Sequence, residues 1–290
     1  MKYSALLIIG VTACWGLSIS ALAGEVVTTN STVGSDIAQQ IEGFNLVGYT
    51  DAGKKDWDIK GDKADIVGNQ VAITNVNANS YKGQEMNIKS KKGTVDKVTG
   101  EVQLNQDVVI TDEKGGQMKT DSLNWQRQAD LVQTEDRVKI EDKDMKVEGT
   151  GLVAHPSTKV AQLKSDVSAD IVTDTVTQNG KENRIQITSD GPMDLEQAKQ
   201  LATFRDNVVA IELSTGRKLK SDLMEVSFDQ HTKHVTEIVC TGNVELYQNG
   251  NVTHSDMLVY KADEQRVTLT GKPKLVIDAK DVDTNKLFQY

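Results

Sequence analysis

The chain has 290 residues, with 42 acidic and 33 basic side chains and a net charge of -9, so nucleic acid and strongly anionic membrane surfaces are poor candidate partners. A hydrophobic fraction of 38% with only 4% aromatic residues is lean for this length and suits a thin core better than one large globular one. Three prolines fit long, uninterrupted strands.

Residues 1–23 read as a signal peptide or membrane anchor. Ala21-Leu22-Ala23 fits signal-peptidase cleavage, the apolar run from Tyr3 to Ala23 is long enough to span a bilayer, and Val11-Thr12-Ala13-Cys14 resembles a lipoprotein box. All three readings export the rest of the chain across the inner membrane, to the periplasm. Residues 24–43, rich in Thr, Ser, Gln and acidic side chains, read as a flexible tether. The two cysteines, Cys14 and Cys240, leave a cleaved chain without a pair, and Cys240 reads as a buried, inert residue.

From residue 44 onward a three-residue phrase, apolar–polar–small, keeps returning. It appears as Ile59-Lys60-Gly61, Ile88-Lys89-Ser90, Met118-Lys119-Thr120, Val147-Glu148-Gly149, Ile187-Thr188-Ser189, Leu219-Lys220-Ser221 and, with Thr in the apolar place, Thr253-His254-Ser255. The intervals run from 29 to 34 residues, apart from one of 40 between Val147 and Ile187. Such a period marks one supersecondary unit copied many times, each burying its apolar face only when neighbours stack on it.

Within each unit, alternating stretches flank a short polar turn. The residues expected to face each other are Val95/Val102, Trp125/Leu131, Ala154/Val160, Phe228/Val235 and Tyr260/Val267, which predicts hairpins of two strands. A second phrase closes the units: Asp107-Val108-Val109-Ile110, Asp136-Arg137-Val138-Lys139-Ile140, Asn207-Val208-Val209-Ala210-Ile211 and Gly242-Asn243-Val244-Glu245-Leu246. Period-two alternation then makes one sheet face apolar and the other polar, with Glu101, Gln103 and Asn105 outward. The 40-residue interval separates two blocks, 44–172 and 184–290, joined by a connector at 173–183. Leu195 to Leu201 has helical propensity, but its position matches the hairpin turns, and a turn is expected there.

A catalytic or metal constellation is not evident. His231 and His234 occupy a predicted loop without further ligands nearby, and Zn²⁺ needs three or four. Asp62, Asp121, Asp190, Asp222 and Asp256 recur once per unit, which suits a turn or bulge better than a paired carboxylate site. Nucleotide and cofactor fingerprints are missing, so the chain reads as a non-enzyme without cofactor or metal. Local basic runs such as Lys89, Lys91, Lys92 and Arg217, Lys218, Lys220 read as solvated strand edges.

Longer stretches carry a family resemblance. Val47-Gly48-Tyr49-Thr50-Asp51-Ala52-Gly53-Lys54-Lys55-Asp56-Trp57-Asp58-Ile59-Lys60-Gly61-Asp62-Lys63-Ala64, followed by Gly93-Thr94-Val95-Asp96-Lys97-Val98-Thr99-Gly100, Thr120-Asp121-Ser122-Leu123 and Gly149-Thr150-Gly151-Leu152, resembles the periplasmic domain of the LptC family. Gly242-Asn243-Val244-Glu245-Leu246-Tyr247, His254-Ser255-Asp256-Met257-Leu258-Val259-Tyr260 and Leu269-Thr270-Gly271-Lys272-Pro273 are similar to the LptA (OstA-like) repeat. The resemblance implies an elongated antiparallel β-taco or β-jellyroll with two facing sheets and an apolar groove. It also implies lipopolysaccharide transport in the cell envelope, with the ligand's acyl chains held in that groove. The partners implied are an inner-membrane ABC transporter complex of the Lpt type, and other Lpt β-taco proteins or the outer-membrane translocon joined by edge-to-edge strand addition. The second block is shorter than a full A-type protein, and the family's anchor is uncleaved where Ala21-Leu22-Ala23 looks cleavable.

The residue pattern leads to a groove without the resemblance. Inward positions expected to line it are Ile88, Val102, Leu104, Val108, Ile110, Trp125, Val138, Ile140, Val226, Phe228, Val244, Leu246 and Leu258, where buried apolar surface contributes about 25 cal/mol per Å². A structural or adhesive β-solenoid with a closed core is the alternative.

Overall fold

The computed structural model describes residues 39–276 apart from 51, 82–84, 177–181 and 231. The readings of the export segment, of Cys14 and of His231 fall outside these residues. The described chain divides into two compact units, one of residues 39–143 with 150–161 and the other of 144–149 with 162–276.

The strands of the first unit are β1 (Gln39–Tyr49), β2 (Lys55–Val67), β3 (Gln70–Ser80), β4 (Met86–Asp96), β5 (Val102–Asp112), β6 (Gln117–Gln126) and β7 (Leu131–Glu141), each antiparallel to the next. β1 therefore begins within the stretch read as a tether. β8 (Met145–His155) contributes to both units. The second unit continues through β9 (Val160–Val176), β10 (Glu182–Ser189), β11 (Met193–Glu196), β12 (Leu201–Glu212), β13 (Lys218–Phe228), β14 (Val235–Gln248), β15 (Asn251–Lys261), β16 (Arg266–Thr270) and β17 (Lys274–Val276). β10 lies between β9 and β12, and antiparallel pairing then runs from β12 to β16. The fold is all-β and antiparallel, of the β-taco or β-jellyroll kind.

Three of the five expected facing pairs form as expected. Val95 pairs with Val102, Phe228 with Val235 and Tyr260 with Val267. Trp125 pairs with Val132 instead of Leu131, because Arg127–Ala129 coil into a 3-10 turn closed by Asp130 in the left-handed region, which leaves Leu131 opposite Gln126. The same turn occurs at Gln197–Lys199, so the stretch from Leu195 to Leu201 is a hairpin turn between β11 and β12, as its position suggested.

Many of the long strands lose register near their middle, and this bend explains the recurring phrase. Register shifts interrupt the pairing between Lys89 and Lys92, Asn105 and Val108, Arg205 and Val208, Lys220 and Leu223, and Thr241 and Val244. An extra residue on one strand kinks it and adds twist. Buried positions resume beyond the shift, so both halves of the strand turn their apolar side chains to a common interior. On β5, Val102 and Leu104 precede the bend and Val108 and Ile110 follow it, and all four are buried.

The small residue of the phrase stands at this corner, opposite a buried valine. The pairs are Ser90 with Val76, Thr120 with Val108, Ser189 with Val167, Ser221 with Val208 and Ser255 with Val244. A larger side chain would compete with the valine for the same space. Three of the hydroxyls also occupy carbonyls freed by the lost pairing: Ser90 donates to the Lys92 carbonyl at 3.0 Å, Ser189 to Gly191 at 3.3 Å and Ser255 to Met257 at 3.2 Å.

The two corners without an unbroken strand carry proline. Pro192 separates β10 from β11, which pair with the two halves of β12. Pro273 lies between β16 and β17, which pair with the two halves of β15. Proline has no N–H to give a ladder and is tolerated where the ladder is already broken.

Candidate functional site

Within each unit the inward residues gather on an interior face. Ile88, Val102, Leu104, Val108, Ile110, Val138 and Ile140 are buried in the first unit, and Val226, Val244 and Leu258 in the second. Trp125, Phe228 and Leu246 are half-buried. Gln103 and Asn105 are exposed and Glu101 is half-buried, which fits the expected polar face. In the first unit the interior packs on itself, with Val108, Ile110, Val138 and Ile140 at 0–1% exposure.

The second unit contains a cavity of about 1410 Å³. Its apolar wall is built from Ile185 of β10, Ala210 of β12, Leu219 of β13, Ile238 and Leu246 of β14, and Leu258 and Tyr260 of β15. Its polar rim includes Asn183, Glu212, Thr215, Arg217, Lys218 and Lys261. Of the residues expected from sequence to line a groove, Leu246 and Leu258 are on this wall.

Ile185, Ala210, Leu219, Ile238 and Tyr260 were not among the expected positions. A signal for them exists in the second phrase: Asp107-Val108-Val109-Ile110 on β5 has Asn207-Val208-Val209-Ala210 as its counterpart on β12. Val108 faces Thr120 and Ile110 faces Met118, while Val208 faces Ser221 and Ala210 faces Leu219. An isoleucine position has become alanine, and the lost volume lies on the cavity wall.

The rim is held by a hydrogen-bonded carboxylate. Asn183 donates to Glu212 at 2.7 Å, Thr215 at 2.6 Å and Arg217 Nε at 2.8 Å. Burial works to raise the Glu212 pKa, but the hydrogen bonds from Thr215, Arg217 and Asn183 outweigh it and hold the carboxyl below its ordinary range. Tyr260 on the opposite wall is pushed up, first by burial and then by the charge of Glu212. Arg217 is thereby neutralised, and the wall behind it is apolar. Such an enclosure suits an amphiphile whose chains enter and whose polar part stays at the mouth.

Cys240 is fully buried, and burial raises its thiol to about 12, so it is an inert core residue. Among the described residues no group of three or more His, Cys, Asp or Glu is placed to hold a metal ion. Three of the five recurrent aspartates serve the bends. Asp62, Asp190 and Asp222 accept hydrogen bonds from the side-chain amides of Asn75, Asn207 and Asn243, which adopt positive φ on the adjoining strand. No helix among the described residues is long and apolar enough to cross a membrane.

Antiparallel strands around an apolar interior, with a roomy cavity in one unit, define an all-β protein of the β-taco class. Residues 5–172 match the lipopolysaccharide-assembly, LptC-related family model, and residues 186–290 match the model for LptA/(LptD N-terminal domain) LPS transport protein. The chain belongs to the LptC-related lipopolysaccharide-assembly family and carries an LptA-type module after it. Lipopolysaccharide transport in the cell envelope, and a periplasmic setting, follow from the two families. No curated protein matches the chain.

Proposed function

We propose that this chain is a bridge component that shields the acyl chains of lipopolysaccharide inside its β units as the lipid moves between inner and outer membranes. The observation that carries this reading is the cavity of about 1410 Å³ with Ile185, Ala210, Leu219, Ile238, Leu246 and Leu258 on its wall and charged groups at its rim. Each methylene withdrawn from water contributes about 0.8 kcal/mol, so even a partly inserted acyl chain is held without any covalent step. The inward residues of the first unit, from Ile88 to Ile140, would likewise receive lipid by parting their contacts.

Residues 1–23 would hold the chain at the inner membrane or direct its export, and residues 24–38 would give it reach. The partners in this reading are an Lpt-type ABC transporter at the inner membrane and a further β-taco protein or the outer-membrane translocon. The outer strands offer edges for β-augmentation: β1 is largely exposed, and β17 is exposed along its length.

Photo-cross-linkers at Ile238 and Leu246 test the proposal in cells. Capture of lipopolysaccharide there, and not at Gln103 or Glu245 on the outward face, is the expected result. Capture at the outward positions alone would leave the closed-core solenoid as the better reading.

A further inference from the structure

We propose that Arg217 is a head-group site at the mouth of the cavity in the second unit, selecting amphiphiles with a phosphate head over those with an uncharged head, and that Glu212 sets how strongly it does so. This selectivity rests on the lipid-holding reading of the cavity and adds to it the part of the ligand that is recognised.

Arg217 is the one arginine among the described residues lining the cavity. One edge of its guanidinium is occupied: Nε donates to Glu212 Oε2 at 2.8 Å, and Nη2 stands 2.7 Å from the same oxygen. Nη1 bonds nothing among the described residues, and the side chain is 38% exposed. The turn beneath is braced by the Glu212 N–H, which donates to the Arg217 carbonyl at 3.0 Å, and by the Gly216 N–H, which donates to the Glu212 carbonyl at 2.8 Å. A guanidinium anchored along one edge, with donors left over on the other, matches the oxygens of a phosphate.

The first unit shows that such a turn closes without arginine. Asp112 ends β5 as Glu212 ends β12, and the residue bonded across from it is Gly116, where Arg217 stands across from Glu212. Asp112 accepts the backbone N–H groups of Lys114 at 2.9 Å and Gly116 at 2.8 Å. Glu212 likewise has other donors, Asn183 on one oxygen and Thr215 on the other. The cation therefore accompanies the open interior, and the same place beside the filled one has glycine.

The other cations of the rim are engaged elsewhere. Lys218 lies over the Tyr247 ring at 5.8 Å, and Lys261 stands 3.7 Å from Glu264. Of the other rim carboxylates, Glu237 is opposite Lys261 across β14 and β15, and Asp263 belongs to the turn after β15. Burial raises the Tyr260 pKa, and the charges of Glu212 and Arg217 act on it in opposite directions, so the pair lies beside the apolar wall. A carboxylate this close weakens the pull of Arg217 on any second anion, which makes Glu212 the tuning residue.

The test uses the full chain in phosphatidylcholine vesicles, with a photo-cross-linker at Leu246 and radiolabelled dodecyl phosphate or dodecyl maltoside. The readout is the ratio of the two captured amounts. Arg217→Gln should lower that ratio about tenfold, Arg217→Lys should lower it less, and Glu212→Gln should raise it. Excess inorganic phosphate should leave the capture of dodecyl phosphate unchanged, and displacement by it would make Arg217 a site for the free anion and overturn its assignment to a lipid head. Capture of both ligands at a ratio unmoved by Arg217→Gln and Glu212→Gln overturns the proposal and leaves the lipid-holding reading intact. Capture of neither ligand by the parent overturns both.

Discussion

Asn243, at a φ of 45°, donates its side-chain amide to Asp222 of the preceding strand at 2.8 Å. The bond spans the bend where β13 and β14 lose register between Lys220 and Leu223 and between Thr241 and Val244. Asn tolerates the left-handed region better than other residues with a Cβ, and here its side chain also fastens the neighbouring strand.

Replacing Asn243 separates these two contributions. Asn243→Gly keeps the backbone conformation and loses only the hydrogen bond, at about 1 kcal/mol. Asn243→Ala loses both and should cost about 2 kcal/mol. Urea unfolding of the two variants beside the parent gives the order, and an alanine variant as stable as the glycine variant would show that the bend is unstrained.

Gly61 is the small residue of the first phrase. A Cβ there would meet the Phe44 ring at 2.7 Å and an Ile73 methyl at 2.8 Å. Gly61→Val should therefore overpack the corner and cost about 1–3 kcal/mol. The readout is the thermal midpoint, with loss of β1 protection in hydrogen exchange locating the damage.

The two phrases and the hairpin spacing were legible from alternation and turn composition, and Val95/Val102 and Phe228/Val235 pair as expected. That the phrases face each other was not. Ser221 and Val208 belong to different strands, and only the register makes them one corner. The bends of β5 and β12 also lack a glycine signature, since Gln106, Asp107, Asp206 and Asn207 adopt positive φ while carrying side chains. The cavity was hidden for a related reason. Ala210 is apolar and inward like Ile110, so alternation treats them alike, although volume is what distinguishes a filled interior from an open one.

Ala210 is only 6% exposed and stands on the cavity wall. Ala210→Phe should fill part of the cavity, leaving the thermal midpoint unchanged or raised while cross-linking of lipopolysaccharide from Leu246, on the proposed function, falls. A fall in both stability and cross-linking would mean that the wall collapsed instead.

Glu212 makes the rim sensitive to acid in a definite direction. Its folded pKa lies below the ordinary glutamate value of 4.5, so its stabilising contribution is complete above that value and is lost as pH falls through the folded pKa. The parent should lose stability below pH 4.5 more steeply than Glu212→Gln, measured by urea midpoints across the acid range.

Cys240, raised to about 12 by burial, should resist alkylation at pH 8 in the folded protein and react at once in urea. Peptide mapping after iodoacetamide treatment assigns the label to this position. Rapid labelling under native conditions would mean that β14 opens readily.

The small-residue and valine pairs confine each corner to two adjoining strands. No corner depends on a residue several strands away, so a two-strand repeat can be inserted or removed without disturbing the others. Within one unit the stack would therefore lengthen or shorten in steps of about 10 Å, the width of two strands, and evolution could set its length by counting repeats.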